Sequence, residues 1–406
     1  MSAISIFAGA YCQAEKVASR VADELGYELV DDRTLLDEAG AVYGMDRAVL
    51  VRTLEGRASA FDRYTRERER CISFLRACAA RRVARGNAVL LGLTAQLVPS
   101  GLADALKVCL LSRQDERVRR AKQAEDMREG EARQVVKRSD EAAFAWSETV
   151  SDENPWDPDL YDLVIRIDQQ DAEQAIEQLV ESIRDRRKFS ADMARAATDF
   201  VAGAEAEAAL AAAGHTVEAV CEDGVLRLRT ERHVPAPDMV LEDMRAAIAG
   251  VDGIRETRLE CPDEAESVQA YHKIDFETPG KVLLVDDEQA FARELSDRLH
   301  ARGIGAAVVY DGAQALNFFR EDAPEIVVLD MDISDMDGEE VLRLIREQHP
   351  DVQVIVLSAH GADHGKRDCE ELGCFEHLEK PVDVEALCDA MRRANRQFVK
   401  QRTGQA

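Results

Sequence analysis

The run KVLLV at 281–285 is followed at once by Asp286 and Asp287, and the run EIVVL at 325–329 is followed by Asp330. Short runs dominated by Val, Ile and Leu are expected of strands buried on both faces of a parallel sheet. Three more runs extend the set: AAVVY at 306–310, VQVIVL at 352–357 and CFEHL at 374–378. Helical patterns lie between them, as at Phe291 to His300 and Gly338 to Gln348. Five strands alternating with helices predict a doubly wound α/β fold. In such sheets ligands bind beyond the carboxyl ends of the strands. Asp286, Asp287 and Asp330 stand at those ends; Ser358 ends the fourth strand and Lys380 follows the fifth. Three carboxylates in one crevice repel each other, and hard oxygen donors with room for waters suit Mg2+. A carboxylate beside a metal can attack a phosphoryl group, and a nearby Lys and hydroxyl can hold the new phosphoryl oxygens.

These residues stand in motifs that resemble the receiver domain of bacterial response regulators over nearly all of residues 280–396. The motifs are VLLVDDE at 282–288, VVLDMDISDMDG at 327–338, VLSAH at 356–360 and HLEKP at 377–381. The resemblance implies a flavodoxin-like (βα)5 receiver domain at 279–406. It implies Asp330 as phosphoacceptor, and Asp286, Asp287, Asp330 and the backbone carbonyl of Asp332 as ligands of Mg2+. Ser358 is implied as the hydroxyl that turns toward the phosphoryl group, Lys380 as the lysine of the site, and Pro381 as following a cis peptide. Two positions depart from the family. Ser334 stands where Pro is usual, a mild change. His377 stands where Tyr or Phe is usual, the aromatic that swings between exposed and buried positions on activation. A change in the switching, with phosphorylation retained, is therefore expected.

Residues 1–190 also predict α/β structure. Strand candidates are AISIFA at 3–8, YELVD at 27–31, NAVLLG at 87–92, KVCLL at 107–111 and LVIRI at 163–167. One long helical pattern runs from Phe61 to Arg85, and its charged stretch RYTRERERCISFLR reads as a solvated, salt-bridged face. Arginines at 113, 117, 119 and 120, with Lys137 and Arg138 beyond, have the chemistry to clamp phosphates. This segment resembles the cytidylate kinase-like family through AEKVASRVADELGYELVDDRTLL at 14–36, LLSRQDERVRRA at 110–121, EARQVVKRSDEAAFAW at 131–146 and NPWDPDLYDLVI at 154–165. The resemblance implies a P-loop-kinase-like parallel sheet. It makes Arg117, Arg119, Arg120 and Arg138 candidates for nucleotide binding in a lid. The phosphate loop departs from the pattern. GAYCQAEKV at 9–17 keeps Gly9 but has Ala14, Glu15 and Lys16 in place of the second Gly, the Lys and the hydroxyl residue. Tyr11, Gln13 and Ala14 take the places of the family's variant glycines. GLTA at 92–95 lacks an Arg often found after that strand's Gly. A carboxylate at Glu15 repels phosphate, so a kinase fold kept as a regulatory or binding module is expected.

Residues 191–278 predict a small α+β domain. The Ala-rich stretch from Ala194 to Ala213 has high helix propensity. VEAVCEDGVLRLRTE at 217–231 alternates around Asp223–Gly224 and reads as a hairpin, followed by a helix at 238–254 and a strand at 257–261. That order resembles the BON domain. His215, His233 and His272 are isolated and read as packed or exposed histidines rather than metal ligands.

The whole chain has 406 residues, 46% apolar and 32% charged, with a net charge of −27. The three segments carry −5, −11 and −11. Such acidity repels phosphate backbones and anionic lipid, which sets nucleic acid and membrane aside as partners. No helix-turn-helix stands beside a basic face, and no apolar run reaches the ~18–20 residues of a spanning helix. The start, MSAISIFAGAYCQAEK, reads as a first strand rather than a signal peptide. Nine Cys without C-x-x-C or metal spacing read as reduced cytosolic thiols, those at 71, 78 and 109 as buried apolar residues. The expectation is a cytoplasmic response regulator of a two-component phosphorelay. Its partners would be a sensor histidine kinase or phosphotransfer protein, with homo-oligomerisation possible through the receiver. The competing reading is a receiver-gated nucleoside monophosphate kinase.

Overall fold

The computed structural model describes residues 3–102, 105–169, 172–186, 192–262, 271, 273–274, 276, 278–359 and 373–403. His272, and His360 at the end of the VLSAH motif, lie outside them. The described residues fall into two units: Met1–Ala58 with Arg68–Lys273, and Ser59–Glu67 with Ile274–Ala406.

In the first unit the apolar runs form five parallel strands: β1 (Ala3–Ala8), β2 (Glu28–Asp31), β3 (Ala88–Leu91), β4 (Ala105–Leu111) and β5 (Leu163–Arg166). Their order is β2-β3-β1-β4-β5, so the chain reverses direction across the sheet beside β1. The amphipathic helices α1 (Ala14–Leu25) and α8 (Ala172–Arg186) cover one face. They bring Val17, Val21, Ile176, Leu179 and Ile183 against Ile4 and Ile6. The other face receives α2 (Asp32–Tyr43), α3 (Arg47–Leu54) and α5 (Glu67–Arg85), with Trp146 of α7 (Glu129–Ser151) fully buried among them. Before α7 comes α6 (Gln114–Glu125).

The Ala-rich stretch is α9 (Asp192–Ala212). Its small side chains Ala208 and Ala211 pack on Phe74 and Ala77 of α5. Glu205 takes Arg81 at 2.9 Å, and Glu207 takes Ser73 at 3.0 Å together with Arg76. The ion pairing read for the charged run is present at Arg76, but the face is half-buried against α9 rather than solvated. The hairpin β6 (Glu218–Glu222) and β7 (Val225–Arg229) is antiparallel, and β8 (Glu256–Glu260) joins β7 in parallel. The helix read at 238–254 is shorter, α10 (Pro237–Ala247), and is capped at Ile248.

The second unit holds the other parallel sheet. Its strands are β9 (Val282–Val285), β10 (Ala306–Val309), β11 (Ile326–Asp330), β12 (Gln353–Ser358) and β13 (Glu376–Glu379). The order β10-β9-β11-β12-β13 puts β9 and β11 side by side at its centre. On one face α11 (Gln289–His300) and α14 (Val384–Thr403) bury Leu295, Leu299, Leu387 and Met391. On the other, α12 (Gly312–Glu321) and α13 (Gly338–Gln348) bury Ala315, Phe319, Val341, Leu342 and Ile345.

The pattern read as one helix from Phe61 to Arg85 is two helices. The short α4 (Asp62–Thr65) stops where Arg66 adopts left-handed backbone (φ 50°), and Thr65 Oγ1 accepts from Glu67 N at 3.2 Å as α5 begins. The strap Ser59–Glu67 belongs to the second unit. Phe61 is fully buried, with its ring edge-on to Phe318 at 5.4 Å. Ser59 donates to Asp322, and Glu67 pairs with Lys281 at 2.7 Å. Tyr64 fills the place a side chain at Gly305 would take: a Cβ there would collide with the Tyr64 ring. A second departure concerns sulfur. Cys374 is disulfide-bonded, against the reading of all thiols as reduced, while Cys71, Cys78 and Cys109 are free and buried as expected.

Candidate functional site

β9 ends one residue before Asp286, β11 ends on Asp330 and β12 ends on Ser358. Because β9 and β11 are neighbours in register, with Val285 opposite Leu329, their acidic ends fall together. One oxygen each from Asp286, Asp287 and Asp330 can be chosen so that all three lie within 4.8 Å of one another. Asp286 and Asp330 are each 3% exposed. Lys380, just past β13, reaches across both: Nζ donates to Asp286 Oδ2 at 2.7 Å and to Asp330 Oδ2 at 2.8 Å. It also lies 4.7 Å from the centre of the Phe291 ring. Burial disfavours the Lys380 ammonium, but its hydrogen bonds to the two carboxylates outweigh this and hold its pKa above the usual lysine value. Burial pushes Asp286 up, partly offset by Lys380. Asp332 N donates to Asp330 Oδ1 at a long 3.4 Å. The Lys380–Pro381 peptide is cis.

Among the described residues, the side chains that converge here are three carboxylates, two of them buried, and the Lys380 ammonium. That donor set fits a hard divalent cation such as Mg2+. Asp286, Asp287, Asp330 and the backbone of Asp332 would hold it.

Ser358 is 5% exposed, and its hydroxyl is already engaged: Oγ lies 2.7 Å from His377 Nε2. Both residues were singled out in the sequence, but nothing in the sequence joined them. The pairing of β12 with β13 does, since Val356 faces His377 and Ser358 is the next residue on the same face.

The second candidate region is the loop after β1. Tyr11 and Gln13 hold positive φ angles of 61° and 58°, so the loop keeps glycine-like backbone with side chains attached. Arg117 is buried against it. Its Nε donates to Ala10 O at 2.7 Å, and its two terminal nitrogens grip Asp140 at 2.7 and 3.0 Å. A Cβ on Gly9 would lie 2.8 Å from the guanidinium carbon, so a side chain at position 9 would displace this guanidinium. Arg120 donates to Tyr11 O at 3.3 Å, and Arg119 pairs with Glu116. Tyr11 donates to Glu125 at 2.5 Å, which with burial raises its phenol to about 12. Arg138 and Glu15 are exposed. Of the four candidate arginines, the structure brings Arg117 and Arg120 to the loop and turns Arg119 to its own helix.

One carboxylate here escaped the sequence reading although it lies in a quoted stretch. Asp32 accepts from Leu93 N, Thr94 N and Thr94 Oγ1 at 2.9, 2.8 and 2.6 Å, and so closes the GLTA turn. Burial raises its pKa, and the Thr94 hydrogen bonds oppose the rise. The signal was the doubled acid Asp31–Asp32 at a strand end.

Comparison with known proteins follows the same division. Residues 282–392 match the response regulator receiver domain, and residues 3–169 match the cytidylate kinase-like family. The chain is similar to sporulation initiation phosphotransferase F of Bacillus subtilis, 31% identical over 113 residues, covering 28% of this chain and 91% of that protein. It is 32% identical to the transcriptional regulatory protein GlrR of Escherichia coli over 113 residues, 28% of this chain but only 26% of that one. Among solved structures, a response regulator receiver domain protein from Clostridium thermocellum is 29% identical, with 29% of this chain and 94% of that chain covered and a TM-score of 0.28. No helix among the described residues is long and apolar enough to cross a membrane.

Proposed function

We propose, for a chain that belongs to the response regulator receiver family and carries a cytidylate kinase-like domain ahead of its receiver, that Asp330 accepts a phosphoryl group from a phosphohistidine. The donor would be a sensor histidine kinase or a phosphotransfer protein of a two-component phosphorelay. The observation that carries this reading is the bridging of Asp286 and Asp330 by Lys380 beside a third carboxylate, Asp287. In the transfer an Asp330 carboxylate oxygen attacks phosphorus and forms a P–O bond. The P–N bond to the donor imidazole breaks, and the leaving nitrogen keeps the electron pair and takes up a proton. Mg2+ bound by Asp286, Asp287, Asp330 and the Asp332 carbonyl would supply charge neutralisation at the phosphoryl oxygens. In this reading Lys380 exchanges its contact with Asp286 for one with a phosphoryl oxygen, and Ser358 donates to another.

The kinase-like segment, 1–190, and the small α+β segment, 191–278, serve in this reading as output or scaffold without turnover. What supports it is Arg117, a candidate phosphate clamp whose guanidinium is spent on Asp140 and the Ala10 carbonyl. Glu15 beside the same loop adds repulsion. The protein would act in the cytoplasm, with any self-association through the receiver, 279–406.

The test is labelling from a small-molecule phosphodonor. Uptake should require Mg2+ and be lost with a chelator. Asp287→Asn should abolish it at ordinary Mg2+ while leaving the circular dichroism unchanged. Labelling that persists in chelator would contradict the metal-assisted reading.

A further inference from the structure

His377 stands on β13 with its imidazole against the hydroxyl that the proposed function assigns to the phosphoryl group. The separation of 2.7 Å between Ser358 Oγ and His377 Nε2 is that of a strong hydrogen bond, and Ser358 is nearly inaccessible to water. A serine hydroxyl has one proton to give and two lone pairs to receive with, and a neutral imidazole gives at one nitrogen and receives at the other. Two arrangements therefore exist. If Ser358 donates to Nε2, its only proton is spent and it has none for a phosphoryl oxygen. If Nε2–H donates to Oγ, the Ser358 proton is free to point at Asp330, and the two hydrogen bonds in series reinforce one another.

We infer that His377 is a positioning residue: its Nε2–H donates to Ser358 Oγ and aims the serine proton at the phosphoryl group on Asp330. The inference rests on Asp330 as the acceptor. It gives the departure from Tyr or Phe at this position a role in the transfer itself, beyond the switching expected from the sequence. It also ties the phosphorylated state to one imidazole form, the one protonated at Nε2. A phenyl ring at 377 would fill similar space and offer Ser358 nothing. A glutamine places an amide N–H near the position of Nε2.

The experiment uses the full chain with acetyl phosphate and Mg2+. Initial phosphoryl uptake is compared for wild type, Ser358→Ala, His377→Phe, His377→Gln and the double variant Ser358→Ala/His377→Phe. Ser358→Ala and His377→Phe should each slow uptake about three- to tenfold, the loss of one hydrogen bond. The double variant should be no slower than Ser358→Ala, because the two residues act through one proton. His377→Gln should stay within about twofold of wild type, the margin left by an intact hydrogen bond. Multiplicative effects in the double variant, or a His377→Gln as slow as His377→Phe, would overturn the inference. Nitrogen NMR of the imidazole in the phosphorylated chain gives an independent readout. Protonation at Nε2 is expected, and an unprotonated Nε2 there would also overturn it. Wild type that takes up no label on Asp330 would overturn the proposed function, and this inference with it.

Discussion

His215 shows how a single buried group sets a measurable property apart from the phosphoryl chemistry. It is 2% exposed, its Nδ1 lies 2.8 Å from the Tyr271 hydroxyl, and the Asp243 carboxylate lies 3.1 Å from Nε2, outside hydrogen-bonding geometry. Lys273 pairs with the same carboxylate at 2.6 Å. Burial lowers the imidazole pKa, Lys273 lowers it further, and Asp243 opposes both. The sign follows from linkage. Above the unfolded pKa of about 6.5 the imidazole is neutral in both states and contributes no pH dependence. Below it the unfolded chain binds the proton first, so stability falls as pH falls, until the folded pKa is passed. Urea denaturation of the full chain should thus show a lower midpoint at pH 5.5 than at pH 7.5, and His215→Phe should flatten that difference. An unchanged difference in the variant would assign the pH dependence to other groups. Sequence alone reads this histidine as packed or exposed without deciding between the two, and gives no sign of its partners, which lie 28 and 56 positions away.

At the scale of elements, legibility followed locality. The strands β9, β11 and β12 were readable because burial on both faces enforces an unbroken apolar run, and their acidic or hydroxyl ends sit next in sequence. The strap at Ser59–Glu67 was not. Phe61 and Tyr64 fit a helical pattern that continues into α5, and what removes them from it is a partner more than 240 residues away: Tyr64 reaches Ala306 O at 3.4 Å. Arg117 was named as a phosphate clamp, and its carboxylate partner Asp140 stood in a quoted stretch, yet nothing local pairs residues on two different helices. The strap yields an expected outcome. Gly305→Val puts a side chain where Tyr64 lies, and overpacking of this kind costs about 1–3 kcal/mol. Limited trypsinolysis should then cleave at Arg66 faster than in wild type, with uptake on Asp330 retained. Equal cleavage rates would show that the strap does not depend on Gly305.

For the molecule as a whole, two α/β sheets of different order stand in one chain, and we assign them unequal chemistry. The amino-terminal sheet resembles that of a nucleotide kinase but has a phosphate loop that departs from the pattern, and the arginine best buried beside that loop is already neutralised by Asp140. Loss of one charged transition-state contact costs roughly 2.7–4 kcal/mol, or 10²–10³ in rate. Purified protein given ATP and CMP should therefore form CDP at no more than background rate, with Asp330 phosphorylated or not. Turnover that Arg117→Ala abolishes would establish the gated kinase instead. At the carboxy-terminal sheet Asp286, Asp287 and Asp330 converge beside Lys380, where the proposed transfer would take place. The most direct measurement is intact-mass spectrometry of the full chain after phosphotransfer in Mg2+, wild type against Asp330→Asn, with the modified residue located by peptide mapping. The account predicts one phosphoryl group on wild type, at Asp330, and none on the variant; equal phosphorylation of the two would contradict it.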